Sequence, residues 1–143
     1  MADEPVYDRL GLIVLSDEEC WALVDGTPIG RVAFVSEGEP QVLPVNFLVD
    51  GHQLAFRSTT GSKFSAAAMR RPVAFEVDGW DVHTRSGWSV LIDGTADLVL
   101  DADEEARLDG MGLEPWAIHD QQMDWVKILP NDISGRRIPP QER

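Results

Sequence analysis

Cysteine and positive charge are both scarce in this sequence. Its 143 residues include one cysteine, Cys20, which excludes an internal disulfide framework and is typical of a reducing cytoplasm. The chain has 12 Lys and Arg against 25 Asp and Glu, which gives a formal net charge of −13. That balance argues against nucleic acid and against an anionic membrane as partners. A membrane-length apolar run and a basic, apolar leader are also missing, so we expect a cytoplasmic protein.

Side-chain groupings that carry familiar catalytic chemistry are missing as well. The histidines His52, His83 and His119 are scattered, and no His or Cys cluster has metal-ligand spacing. There is no Gly-x-Ser-x-Gly elbow for a serine nucleophile. The carboxylates at 101–105 are numerous, but their pattern is that of a solvated helix face. The sequence therefore predicts no metal site, and any chemistry would be carried by a bound cofactor.

What the sequence does contain is a hydrophobic pattern with a period of two. A chain of 143 residues, 43% of them hydrophobic, predicts one domain over 1–143, with its core at 12–138 between polar tails. Ser16 and Glu19 form a capping box that opens a helix ending near Gly26. Further elements are predicted as strands at 31–35, 41–49, 52–58, 73–77, 88–100 and 125–129, helices at 62–69 and 101–108, a polar loop with an exposed Trp80 at 78–87, and a closing segment at 133–138. About six short strands joined mostly without helices predict a mainly β, α+β fold, an antiparallel barrel with peripheral helices.

Proline and glycine mark the edges and turns of this barrel. Pro44 removes one ladder N–H, so its strand belongs at a sheet edge or contains a bulge. Asp50 followed by Gly51 is a strong hairpin signal. Gly94 interrupts the long strand at 88–100 and predicts a bulge or a barrel corner there.

Between the strand at 52–58 and the helix at 62–69, hydroxyl groups and a glycine stand beside two cations. The turn contains Ser58, Thr59, Thr60, Gly61 and Ser62, bracketed by Arg57 and Lys63. Helix-start N–H groups, hydroxyls and cations are the parts of an oxyanion cradle, in which Arg can fork onto a phosphate while Lys adds a point charge. The plainer alternative, which the spacing alone leaves open, is that Ser62 is only an N-cap and Arg57 only a solvated strand end.

A polar amide, Asn46, is placed among the apolar residues Val45, Phe47 and Leu48. Its burial costs free energy unless the amide finds hydrogen-bond partners. Two interpretations remain open: a satisfied internal hydrogen bond, or an amide that recognises the polar edge of a planar ligand.

Seven short segments occur in an order that resembles a known family. They are GRVAFV (30–35), LPVNF (43–47), FRSTTGSK (56–63), VAFEVD (73–78), GWSV (87–90), GTA (94–96) and GRRI (135–138). Together they look like the pyridoxamine 5′-phosphate oxidase-like family, in its actinobacterial flavin- and deazaflavin-binding branch, over most of residues 12–138. The resemblance implies an FMN-binding split barrel, that is, a split antiparallel β-barrel homodimer with cofactor sites at the subunit interface.

The resemblance also implies a set of cofactor-binding residues. For the cofactor phosphate the set is Arg57, Ser58, Thr59, Ser62 and Lys63. For the border of the ring system it is Pro44, Val45 and Asn46. The residues that would reach the site from the partner subunit are Trp88 and Ser89, and those near its rim are Trp116 and Arg136.

Arg136 is the candidate for tuning the bound ring, because a cation stabilises the negative charge of a reduced flavin. The segment that carries it follows the last core strand and can fold back over a barrel mouth. Arg137 beside it competes for this role, and simple solvation of Arg136 is the alternative.

Two departures from the family bear on the substrate. Enzymes that oxidise pyridoxamine phosphate carry a Ser-Arg-Lys phosphate motif, whereas Gly61-Ser62-Lys63 lacks that arginine, and their pyridoxal phosphate-binding set is not found. Vitamin oxidation is therefore not expected. FMN is the first choice of cofactor, because the cations and hydroxyls suit a terminal monophosphate dianion, and the deazaflavin coenzyme is the alternative.

Three classes of function remain open at this stage. The first is a flavin- or deazaflavin-dependent oxidoreductase that transfers electrons or hydride to a small molecule. The second is a carrier or storage protein that binds the cofactor without turnover. The third is a dimeric adaptor barrel with no ligand. Cofactor absorbance separates the third from the first two, and bleaching by a nicotinamide donor separates the enzyme from the carrier.

Overall fold

β-Strands form most of the regular structure. The computed structural model describes residues 4–117 and 122–141, so His119 lies outside the described residues. In chain order the elements are β1 (Val6–Tyr7), β2 (Ile13–Val14), α1 (Asp17–Asp25), β3 (Ile29–Ser36), β4 (Glu39–Asn46), β5 (Leu48–Asp50), β6 (Gln53–Thr59), α2 (Lys63–Ala68), β7 (Pro72–Asp81), β8 (Ser86–Leu98), α3 (Ala102–Asp109) and β9 (Met123–Ile138).

The strands form one nine-stranded sheet in which all strand pairs are antiparallel. The main path runs β1-β2-β9-β8-β7-β3-β4, while β6 pairs with β9 and carries β5 on its other side. The strand β9 pairs with β6 over 123–128, with β8 over 126–138, and with β2 at 136–137. The prediction of a mainly β, α+β fold, a split antiparallel barrel with peripheral helices, is confirmed.

Two apolar clusters lie on opposite faces of β6. The larger cluster includes Leu54 and Phe56 and gathers buried residues from the sheet, α1 and α2. The smaller cluster packs α3 against the sheet and consists of Ala55, Val99, Leu108 and Trp125. Because successive strand residues point to opposite faces, Arg57 follows Ala55 towards α3, whereas Ser58 follows Phe56. The two cores therefore determine which way the first cradle residues point.

The number of strands predicted, about six, is too low. The additional strands β1 and β2 have two residues each, which is too short to show an alternating pattern. The strand predicted at 41–49 divides into β4 and β5, because the chain changes partner from β3 to β6. At the division, Phe47 is buried with its ring edge-on to Phe75, at 5.0 Å between centroids. The segments predicted at 125–129 and 133–138 join into β9.

The polar loop predicted at 78–87 is wrong, because β7 and β8 extend through most of it. Only 82–85 forms the turn between them. The Asp81 carboxylate closes this turn by accepting the N–H groups of His83 at 2.8 Å and Thr84 at 3.3 Å. The predicted exposure of Trp80 is confirmed, since it lies on the solvent-exposed end of the β7–β8 ladder.

The predictions made from proline and glycine are confirmed. Pro44 lies in β4, the last strand of the main path. Gly51 has a φ of 63° in the hairpin turn between β5 and β6. At Gly94 the register between β8 and β9 shifts, which marks the expected bulge. A Cβ at Gly94 would lie 2.5 Å from the carbonyl oxygen of Leu129, so this close approach requires glycine.

The predicted capping box opens α1. The Ser16 N–H donates to Glu19 Oε1 at 3.0 Å, and the Glu19 N–H donates to Ser16 Oγ at 3.2 Å. None of the helices formed by residues 4–117 and 122–141 combines the length and the apolar composition that a bilayer crossing needs. Within the same residues, no group of three or more His, Cys, Asp or Glu side chains is placed to hold a metal ion.

Candidate functional site

The turn between β6 and α2 brings two serine hydroxyls together. Ser58 Oγ lies 2.9 Å from Ser62 Oγ, and Ser62 Oγ accepts the N–H of Ser65 at 3.0 Å as the N-cap of α2. Gly61 takes a φ of 75°, which lets the chain turn sharply before the helix. The Thr59 hydroxyl faces away, towards the sulfur of Met123 at 3.8 Å. Ser62 is thus an N-cap, as in the plainer alternative, and also one half of a hydroxyl pair.

The cation at this turn, Lys63, faces a cavity of about 840 Å³ between α2 and the β3–β4 hairpin. Arg71 lines the same cavity, and the alanines at 66–68 form part of its wall. Neither Lys63 nor Arg71 has an ion-pair partner among the described residues. Glu37 also lines the cavity, so its lining has two cations against one carboxylate, a positive balance in a chain of net charge −13 that favours an anionic ligand.

Arg57 lies on the other face of β6 and is already engaged. Its Nη2 donates to Asp109 Oδ1 at 2.5 Å, and its guanidinium carbon lies 4.7 Å from the centre of the Trp125 ring. The Trp125 indole N–H donates to the same Asp109 oxygen at 2.7 Å. The pKa of Asp109 is lowered, first by the Trp125 hydrogen bond and then by that of Arg57. Arg57 is therefore not a solvated strand end.

Two further ion pairs fasten α3 across this end of the sheet. Arg107 Nη1 lies 2.7 Å from Asp50 Oδ1, and Lys127 Nζ lies 3.0 Å from Glu104 Oε1. Leu108, which is buried, inserts into the smaller core between them. The helix is thus held by charge on both sides and by an apolar contact in the middle.

The segment after α3 contacts the residues expected to border the ring. The Trp116 N–H donates to Asn46 Oδ1 at 2.9 Å, and Asn46 Nδ2 donates to the Pro28 carbonyl at 3.1 Å. These are the internal hydrogen bonds of the plainer interpretation of Asn46. On the same strand, Val45 packs against the larger core while Pro44 is exposed. β4 also contacts β6, the strand that leads into the β6–α2 turn.

The remaining predicted residues lie elsewhere, in a cavity of about 430 Å³ at the β7–β8 hairpin. Trp88, Ser89 and Arg136 all line it, beside the exposed Trp80. Arg136 lies directly opposite Ser89, and its Nε donates to Asp8 Oδ2 at 3.0 Å. Its guanidinium is thus partly committed to the N-terminal segment.

The residues at the β6–α2 turn and those at the β7–β8 hairpin are far apart within one chain. Arg57 pairs with Trp125 near the start of β9, whereas Ser89 pairs with Arg136 near its end. At about 3.3 Å per residue, roughly 35 Å of strand separates the two pairs. One chain therefore does not bring all the predicted cofactor residues together.

The outward face of the sheet between the β6–α2 turn and the β7–β8 hairpin carries two neighbouring carboxyl groups, Glu76 and Asp78. Arg31, which pairs across the ladder with Pro44, lies 3.2 Å from Glu76 Oε1 and 3.4 Å from Asp78 Oδ2. Partial burial, then the hydrogen bond and charge of Asp78, raise the pKa of Glu76 to about 7, against the opposing effect of Arg31. The face thus contains a carboxyl group that holds its proton at mildly acidic pH.

Comparison with known proteins places this chain in a family. The sequence model of the family described as pyridoxamine 5′-phosphate oxidase matches residues 16–137. The chain belongs to this family. Among its relatives, the uncharacterized protein Rv0080 of Mycobacterium tuberculosis is 33% identical over 133 residues, which are 89% of this chain and 86% of the relative.

Solved structures of similar proteins agree with the fold. A structure of the FAD binding protein from Mycobacterium smegmatis is 35% identical, with a TM-score of 0.78, over 87% of this chain and 96% of that chain. A Corynebacterium glutamicum protein that bears the family's name is 31% identical over 100% of both chains, with a TM-score of 0.80.

Some residues of the candidate site could not be found from local sequence. Asp109 and Trp125 meet Arg57 only through the packing of α3 and the β6–β9 pairing. Arg71 joins Lys63 because both ends of α2 face one cavity. The sequence signal for Arg71 was its position just after the predicted helix, but nothing there distinguishes it from Arg70.

The raised pKa of Glu76 predicts a pH-dependent effect of Glu76→Gln. A carboxyl group whose pKa in the folded chain exceeds its ordinary value stabilises the fold at pH values below that ordinary pKa. This contribution is lost as the pH rises through about 7. Glutamine keeps the uncharged form, so the variant should be more stable at pH 8 by about 1 kcal/mol, allowing for solvent screening. Urea unfolding at pH 5.5 and pH 8 measures this, with Glu39→Gln on β4 as the exposed control. An equal effect of Glu76→Gln at both pH values would contradict it.

Proposed function

We propose that this chain binds a flavin and holds its phosphate at the β6–α2 turn. The observation that carries the proposal is the Ser58–Ser62 hydroxyl pair beside Lys63, a cation without an ion-pair partner among the described residues. Hydroxyl donors and an ammonium group are the groups that recognise a phosphate. The FAD binding relative from Mycobacterium smegmatis supports a flavin as the molecule that bears this phosphate.

The residues present fit such a cofactor. Ser58, Ser62 and Lys63 would donate to the phosphate, with Thr59 supporting the turn. Arg57 donates a hydrogen bond to Asp109 through Nη2 only, so its other N–H groups remain available to a second anion. The ring would border Pro44, Val45 and Asn46 on β4, under the segment that carries Trp116. A bound flavin supplies electron or hydride transfer, and the protein binds, orients and tunes it.

A second copy of the chain would complete the site. Trp88 and Ser89 on β8 pair with the far end of β9, where Arg136 lies, too far to reach the phosphate bound by their own chain, so we propose a homodimer in which each site uses both chains. The outward sheet face between the two groups exposes Val35, Val42 and Leu91. Exposed apolar side chains on a sheet face are typical of a surface that another protein covers, and homodimers are usually twofold.

For the form of the cofactor, we propose FAD ahead of FMN. The cation count of the turn suited the monophosphate dianion of FMN, but that count included Arg57, whose charge Asp109 now offsets. FAD places a pyrophosphate at such a site, with one negative charge on each phosphate. The deazaflavin coenzyme also carries a phosphodiester and is the alternative.

An oxidoreductase is the activity that we propose, and a flavin carrier is the second candidate. The carrier is favoured by one observation: the residues named for the two halves of the site include no histidine to supply a proton. Adding a nicotinamide donor to the flavin-loaded protein without oxygen should bleach the flavin absorbance, and an added quinone or dye acceptor should restore it. Flavin absorbance that stays unchanged with both NADH and NADPH would favour the carrier.

Removing either cation should weaken the binding of phosphate-bearing flavins. A hydrogen bond to a charged group contributes about 1.5–3 kcal/mol, so Lys63→Ala should raise the Kd for FAD by roughly tenfold to a hundredfold, and Arg57→Ala, whose charge Asp109 offsets, should raise it less. Riboflavin, which has no phosphate, should bind these variants as it binds wild type. Fluorescence titration of apo protein measures both.

The matched control is Arg70→Ala, which removes a highly exposed cation just after α2. Its Kd for FAD should equal that of wild type. If Lys63→Ala and Arg57→Ala also bind FAD with wild-type affinity, the phosphate is not held at this turn.

A further inference from the structure

The cavity between α2 and the β3–β4 hairpin is larger than a single phosphate group needs. Its volume of about 840 Å³ lies within the range of pockets that hold a whole small molecule, roughly 300–1,000 Å³. Lys63 lines it at the start of α2, and Arg71 lines it just beyond the end of the helix. The helix residues between them that line the cavity are the alanines at 66–68, whose side chains leave the space open. A phosphate bound by Lys63 therefore leaves room in the cavity for more of its ligand.

The rest of the cavity lining has the groups that recognise a nucleotide. Arg71 supplies a second cation, and it has no ion-pair partner among the residues that the structure describes. Glu37, in the hairpin turn, supplies a carboxylate, the group that accepts hydrogen bonds from ribose hydroxyls in dinucleotide sites. Phe34, Val35 and Pro72 add apolar surface for a base. The lining thus offers a partner to each part of a nucleotide.

The cavity and the proposed ring site lie at different ends of β4. The cavity is bounded by Gly38 in the hairpin turn, whereas Pro44 and Asn46, which would border the ring, lie towards the far end of the strand. At about 3.3 Å per residue, roughly 20 Å of chain separates Gly38 from Pro44. Lys63 belongs both to the proposed phosphate site and to the cavity lining. A flavin that continues beyond its first phosphate therefore has this cavity to enter, whereas FMN ends at that phosphate.

We propose that this cavity binds the adenylate half of FAD, and that Arg71 holds the second phosphate. This inference rests on the proposed flavin site and names the part of it that distinguishes FAD from FMN. FMN has no second phosphate and no adenosine, so only FAD gains the charge-assisted hydrogen bond to Arg71. Arg71 is thereby a specificity-determining residue.

The test compares the Kd values of FAD, FMN and riboflavin for wild type and Arg71→Ala, by fluorescence titration of the apo proteins. The Arg71 side chain is exposed, and the variant keeps the backbone hydrogen bonds that residue 71 makes with Ala68 and Ala96. We expect the FAD Kd to rise by roughly tenfold or more, the effect of one lost hydrogen bond to a charged group. The FMN and riboflavin Kd values should stay at those of wild type.

The matched control is Arg70→Ala, which removes the same charge from the neighbouring residue. Arg70 is not among the residues that line the cavity, and its side chain is 83% exposed beside Asp97. All three Kd values of this variant should equal those of wild type. The comparison separates a direct contact with Arg71 from the general loss of one positive charge.

A second variant, Ala66→Leu, narrows the cavity without changing any charge. Ala66 is exposed on the cavity wall, so the larger side chain enters the cavity and not the core. The FAD Kd should rise, while the FMN Kd should stay at the wild-type value. Circular dichroism and thermal unfolding of the apo proteins confirm that each variant folds.

The results that would overturn the inference are distinguishable from failure of the proposed function. If the flavins bind but Arg71→Ala leaves the ratio of the FMN Kd to the FAD Kd unchanged, Arg71 does not hold the second phosphate, while the proposed function stands. If Ala66→Leu binds FAD as tightly as wild type, the adenylate lies outside this cavity. If wild type binds none of the three flavins, the proposed function is wrong and this inference falls with it.

Discussion

The pairing of β9 with three other strands is the constraint on which the rest of the structure depends. The first residues of β9 pair with β6, most of its length pairs with β8, and residues near its end pair with β2. The first pairing sets Arg57 opposite Trp125, and the second sets Ser89 opposite Arg136. One strand therefore fixes both halves of the candidate site and also keeps them apart. A site that needs both halves has to be assembled from two chains.

Electrostatics divide the phosphate end of this site into two parts. At the β6–α2 turn, the serine hydroxyls pair with each other, and Lys63 lines the adjoining cavity without an ion-pair partner among the described residues. On the opposite face of β6, Arg57 is bound between Asp109 and Trp125. The charge of Lys63 is therefore free on one face of β6, whereas the charge of Arg57 on the other face is offset by Asp109.

The sequence predicted the barrel well because its strands alternate and its turns use proline and glycine where the backbone requires them, as at Pro44, Gly51 and Gly94. It missed the division at Phe47 because a change of strand partner leaves no local pattern. It predicted Arg57 and Lys63 as one grouping with the hydroxyls, whereas the faces of β6, which are decided by two cores that only the folded chain defines, separate Arg57 from Ser58 and Ser62. The capture of Arg57 by Asp109 joins residues that are distant in sequence, so no spacing rule could reveal it.

The central claim, that one flavin site is built from two chains, is tested most directly by mixing subunits. Two differently tagged chains, one carrying Lys63→Ala and the other Trp88→Ala, are coexpressed, and the heterodimer is isolated through both tags. We predict that each homodimer binds FAD weakly, because both of its sites are impaired. The heterodimer should have one site of wild-type affinity and one doubly impaired site. A heterodimer that binds FAD no more tightly than either homodimer would contradict the account.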